Sequence, residues 1–100
     1  MIIVQTTFQA KWGAGAAVAR ELRESVPGLV ADAAQRYRIL SDLSGPIDTV
    51  VLEVEMESLT AWDAFRLRLF SNPAFQQSGE RIRGQIESAE NEFFTIEAQG

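Results

Sequence analysis

The sequence predicts an α+β fold of order βαββαβ, one four-stranded antiparallel sheet with helices on a single face. Three observations predict it. Segments near both ends of the chain alternate in polarity with a period of two, and two stretches between them repeat apolar residues at helical spacing. Between those helical stretches, Arg36–Met56 folds on paper into a β-hairpin whose register sorts charged and apolar residues onto opposite faces.

Each element has its own signature. In residues 2–10, Val4, Thr6 and Phe8 alternate with Ile3, Gln5, Thr7 and Gln9, the pattern of a strand with one wetter face. Gly13 and Gly15 break it. From about Ala14, the residues Val18, Leu22 and Val26 fall at i, i+4 and i+8, with Arg20, Glu21, Arg23 and Glu24 expected to point elsewhere, so the segment is an amphipathic helix. Pro27 and Gly28 are expected to end or kink that helix, although Leu29 to Gln35 stays helix-compatible. In the hairpin, a turn at Ser44, Gly45 and Pro46 sets Arg36 opposite Glu55, Arg38 opposite Glu53 and Leu40 opposite Val51. On the other side Tyr37 meets Val54, Ile39 meets Leu52 and Ser41 meets Val50, a surface that must be covered. Ser58 is an expected N-cap for a helix carrying Leu59, Trp62, Phe65 and Leu69, ending near Ser71. Asn72 and Pro73 form a cap and first-turn proline for a further helix with Phe75, Ile82 and Ile86. Glu92–Ala98 alternates again, Phe94 and Ile96 against Phe93, Thr95 and Glu97, and supplies the last strand.

Right-handed crossovers then give the ferredoxin-like strand order 4-1-3-2, with every neighbouring pair antiparallel. The face without helices is expected to carry Gln5, Thr7, Gln9, Arg36, Arg38, Leu40, Val51, Glu53, Glu55, Phe93 and Thr95. That mixture is too polar for a core and too apolar for simple exposure. A second copy of the sheet packed against it resolves the conflict, so Gln5, Thr7, Arg36, Arg38, Glu53, Glu55 and Phe93 are the expected dimer interface.

Composition narrows the function. At 100 residues and 46% hydrophobic content, residues 1–100 are expected to form one domain. A net charge of −5 and an isoelectric point near 4.6 argue against nucleic acid or an anionic membrane as partner. Absence of cysteine removes disulfides and thiolate chemistry, and absence of histidine removes the usual base, haem ligand and metal ligand together. No signal-peptide pattern opens the sequence and no apolar run approaches the roughly 20 residues that span a bilayer, so a soluble cytoplasmic protein is expected.

The candidate sites follow. Arg36, Arg38, Glu53 and Glu55 are better read as register-fixing cross-strand pairs than as a catalytic quartet. Glu53, Glu55, Glu92 and Glu97 would make an oxygen-only metal site, but their spacing matches no metal loop, and no metal is expected. The run Gly13 to Val18 imitates a dinucleotide fingerprint without its third glycine, and is read as a turn with close helix approach. The remaining candidate is an aromatic layer between sheet and helices: Thr6, Phe8, Trp12, Tyr37, Trp62, Phe65 and Phe75 could bind a flat hydrophobic ligand, though a core needs the same residues. No residue presents itself as a general base.

The βαββαβ order, the hairpin YRILSDLSGPIDTVVLEVE (37–55), the segment SLTAWDAF (58–65) and the terminal NEFFTIE (91–97) resemble the NIPSNAP-like branch of the dimeric α+β barrel superfamily, related to antibiotic-biosynthesis monooxygenases. The likeness covers nearly the whole chain. It implies a homodimer with two sheets face to face, helices outside, and a ligand cavity between each subunit's sheet and helices. Trp62 stands on the helix where monooxygenase and haem-degrading relatives often carry a functional tryptophan. The histidine on which haem-degrading relatives rely is missing, so no haem or other cofactor is expected. The expected function is binding of a small hydrophobic or aromatic ligand by a homodimer. The alternatives are a cofactor-independent monooxygenase of an aromatic or polyketide-like substrate, oriented by Tyr37, Trp62 and Thr6, and a non-catalytic interaction module with a fully packed interior.

Overall fold

Alternation in the first nine-residue strand, β1 (Ile2–Ala10), is satisfied by pairing on both edges, which makes it the centre of the sheet. The computed structural model describes residues 1–34 and 36–100; Gln35, the end of the helix-compatible stretch, lies outside the described residues. After β1 come α1 (Gly15–Val30), β2 (Arg36–Ser41), β3 (Thr49–Met56), α2 (Leu59–Phe70), α3 (Pro73–Ile82), a 3₁₀ turn (Arg83–Gln85) and β4 (Ile86–Thr95). The sheet order is β2-β3-β1-β4, antiparallel throughout, which is the predicted order seen from the other edge.

The hairpin forms in the predicted register, Arg36 to Glu55 through Ser41 to Val50. Its loop closes with Gly45 at φ +88° and Asp48 at φ +59°, while the Asp42 carboxylate accepts the Thr49 N–H at 3.1 Å. Asp48 also starts α1. Its carboxylate accepts the N–H of Gly13 at 2.8 Å and of Gly15 at 3.0 Å, where Ala14 offers no side-chain cap. A Cβ on Gly15 would stand 2.9 Å from Asp48 Cα, so the glycine is required by close approach and not by a phosphate.

Helix α1 passes through Pro27 and ends at Val30, inside the helix-compatible stretch that follows the proline. Pro27 lies on the exposed side, and the loss of one backbone hydrogen bond is offset by burial of Val26 and Val30 on the other side. Ser58 caps α2 by accepting the Ala61 N–H at 3.0 Å, and Asn72 caps α3 by accepting the Ala74 N–H at 2.9 Å with Pro73 in the first turn.

Strand β4 corrects the expectation. It begins at Ile86 instead of Glu92 and ends at Thr95 instead of Ala98. Ile86 therefore belongs to the sheet, and α3 stops at Ile82. The glutamates at 87, 90 and 92 mask the strand because it is an edge with exposed side chains, held by its backbone bonds to β1. Its phase is also opposite to that expected. Phe93 pairs with Val4 and Thr95 with Ile2, which puts both on the helix face; Glu92 and Phe94, opposite Gln5 and Ile3, occupy the open face. The dipeptide Phe93-Phe94 carries no polarity difference from which to choose. The core between sheet and helices is built on Val4, Val18, Val50, Val54, Met56, Phe65 and Ile82.

Candidate functional site

Strands β1 and β3 and the three helices do not close completely over one another. They leave a cavity of about 720 Å³ between sheet and helices. Phe8, Leu52 and Ile86 form its sheet side; Leu22, Val26, Leu29 and Val30 come from α1, Phe65 and Leu69 from α2, and Phe75 and Ile82 from α3. Gln76, Glu80 and Arg83, all exposed, bring polar groups to its edge. Inside this apolar wall stand two hydroxyl residues, Ser25 and Ser78.

Both hydroxyls belong to a cluster around Glu21. Ser25 Oγ and Ser78 Oγ donate to Glu21 Oε2, the latter at 2.8 Å, and Arg81 donates Nε to Oε1 at 2.7 Å and Nη2 to Oε2 at 3.0 Å. The Arg81 guanidinium, helped by the serines, holds the Glu21 carboxyl at about 2 against the opposing effect of burial. Glu21 is thus a fixed anion and cannot serve as a base near neutral pH. It was expected to point away from the core but is only 8% exposed. The signal was present in the sequence: Glu21 and Ser25 lie at i+3 and i+7 from Val18, inside the apolar stripe, where a polar residue needs a partner.

Of the expected ligand residues, Phe8, Phe65 and Phe75 line the cavity. Thr6, Trp12, Tyr37 and Trp62 do not. Thr6 donates to Asn91 Oδ1 at 2.7 Å. Trp12 is 84% exposed in the turn that follows β1. Tyr37 has the predicted register on β2, but that strand is the sheet edge; the cavity lies against β1, β3 and β4, and Tyr37 lines the groove beside Arg36 and Arg38 instead. Trp62 packs on Phe65, with ring centroids 5.8 Å apart, and edge-on against Phe93 at 5.9 Å. That contact takes Phe93 out of the open face.

On the open face, Arg38 Nε donates to Glu53 Oε1 at 3.0 Å and Gln5 Nε2 to Glu53 Oε2 at 3.0 Å. Burial raises the Glu53 pKa, but the bonds from Arg38 and Gln5 outweigh it and leave the group below its ordinary value. Thr7 lies beside them, paired with Val51 and Glu90. Arg36, Arg38, Glu53 and Glu55 flank a shallow groove of about 230 Å³ with Ile3 and Gln99, whose side chain donates to Glu55 at 3.3 Å. Among the described residues no three acidic side chains converge as a metal site, and no helix is long and apolar enough to cross a membrane.

No family model and no curated protein matches the sequence. Solved structures do match. An uncharacterized NIPSNAP domain protein from Burkholderia xenovorans superposes with a TM-score of 0.85 at 23% identity, over 98% of this chain and 96% of that one. A NIPSNAP family protein of unknown function from Agrobacterium tumefaciens gives 0.83 at 24% identity, over 94% and 86%. The fold is that of the NIPSNAP-domain proteins. It extends to a protein proposed to be an antibiotic biosynthesis monooxygenase from Nitrosomonas europaea, with a TM-score of 0.78 at 12% identity over 98% of this chain and 100% of that one. Within this NIPSNAP fold, the helix-side cavity and the open sheet face are the two surfaces with a claim to function.

Proposed function

We propose that this chain is one protomer of a homodimer that binds a small apolar or aromatic molecule between its sheet and helices, without a cofactor. The cavity carries this reading. Its 720 Å³ falls within the roughly 300–1,000 Å³ of small-molecule sites, and its wall is mainly aliphatic and aromatic. A module that served only to hold a surface would pack its helices down onto the sheet and leave no such apolar space between them. The cavity therefore counts against a pure interaction module. The dimer is supported by the open face, where Ile3, Leu40, Val51 and Phe94 share the sheet with the Arg38–Glu53–Gln5 cluster.

Titration with the neutral aromatic dye N-phenyl-1-naphthylamine tests the cavity. Saturable enhancement of its emission is expected, lost when Leu29→Trp fills the space; absence of binding, or binding unaffected by that substitution, would overturn the reading. Sedimentation velocity tests the dimer, expected at about twice the 11.1 kDa chain mass; a monomer at micromolar concentration would remove it.

Cofactor-independent oxygenation of an aromatic or polyketide-like substrate is the second reading, favoured by the fold shared with the Nitrosomonas europaea protein. It is the weaker one, because Thr6, Tyr37 and Trp62 stand outside the cavity and Glu21 is held as an anion. Oxygen uptake with a quinol substrate, abolished by Trp62→Ala, would restore it.

A further inference from the structure

The polar spot inside the cavity has a direction. Ser25 of α1 and Ser78 of α3 meet there, and each hydroxyl has one proton and two lone pairs. Both protons are engaged by Glu21 Oε2. That carboxylate can only accept, since Arg81 holds both of its oxygens and keeps it ionised. Among the described residues no N–H or O–H donates to either serine oxygen. What the two hydroxyls present to a molecule in the cavity is therefore lone pairs, polarised by the anion behind them.

We propose that Ser25 and Ser78 form an acceptor site that reads a hydrogen-bond donor on the ligand, so that the cavity takes a neutral, largely apolar alcohol. The inference rests on the ligand-binding reading above and adds the polar half of the ligand. An ether would set its oxygen against the serine oxygens with no proton between them. A carboxylate would meet the same lone pairs with Glu21 behind them, while Arg81, which turns Nε and Nη2 toward Glu21, does not line the cavity. Burial sharpens the selection. Ser78 is 5% exposed, and a ligand in the cavity keeps water from satisfying whatever the ligand does not.

Calorimetric titration of the native chain with octan-1-ol, heptyl methyl ether and octanoate tests it, the first two having the same number of heavy atoms. The alcohol should bind about fivefold to tenfold more tightly than the ether, the worth of one satisfied hydrogen bond, and more tightly than octanoate. In the double variant Ser25→Ala, Ser78→Ala the alcohol should fall to the level of the ether while the ether stays within about twofold. Equal binding of alcohol and ether by the native chain overturns the acceptor site and leaves the cavity reading standing. Octanoate binding tightest overturns it in favour of the rim cation Arg83. Binding of none of the three overturns both readings. The ranking on the native chain decides even where a thermal melt shows the double variant to be unfolded.

Discussion

Glu21 and Glu53 are the same group in the same kind of partnership, a carboxylate held by an arginine guanidinium, on opposite sides of one sheet. Glu53 meets Arg38 across adjacent strands, on a face where the arginine is 64% exposed. Glu21 meets Arg81 from another helix, sixty positions away in the sequence, with two serines completing its shell beside the cavity. The first pair stabilises little, because water competes for Arg38 while Gln5 still holds Glu53. The second is a junction. Helices α1 and α3 are tied together by one buried anion, and cutting that tie leaves a charge where water does not readily reach it.

The two partnerships should differ measurably in what their loss costs. Arg81→Leu strands the buried Glu21 carboxylate and should give the largest loss of unfolding free energy in urea titrations. A loss below about 1 kcal/mol would place Glu21 with the surface pairs. Acid comes next. The Glu21 pKa falls from an ordinary 4.5 to about 2 on folding, so the unfolded chain binds the proton more readily and the stabilisation is present above about pH 4.5. It is lost as pH falls toward 2, an effect of about 2 to 3 kcal/mol that Glu21→Gln should flatten. Glu53, also lowered, adds to the acid limb with the same sign. The smallest effect is expected from Arg38→Ala, under about 1 kcal/mol on the isolated chain. A loss matching that of Arg81→Leu would mean that the open face is buried in the assembled protein, and would sharpen the dimer reading.

These two pairs also mark how far the sequence reaches. The Arg38–Glu53 contact was legible because a period-two pattern closed by a short turn admits one register that keeps the apolar side together. Ser58, Asn72 with Pro73, and the close approach at Gly15 were legible for the same reason, since each acts on neighbours within a few positions or on a single adjoining loop. At Pro27 the local rule left two outcomes, an end or a continuation, and apolar burial on the far side of α1 carried the helix on to Val30. Phe93 lies on the helix face, against the sequence expectation, because two adjacent phenylalanines leave the phase of β4 to its pairing with β1.

By itself, then, the sequence determined the order of elements, the hairpin register, the helix caps and the antiparallel sheet, all of which follow from periodicity and short-range sterics. Only the tertiary structure decided where the helices fail to meet the sheet, which aromatic residues border that space, and that Glu21 would find Arg81. A cavity is what remains when several elements have packed, and an ion pair between distant helices depends on their relative placement; neither leaves a local pattern strong enough to name its partners.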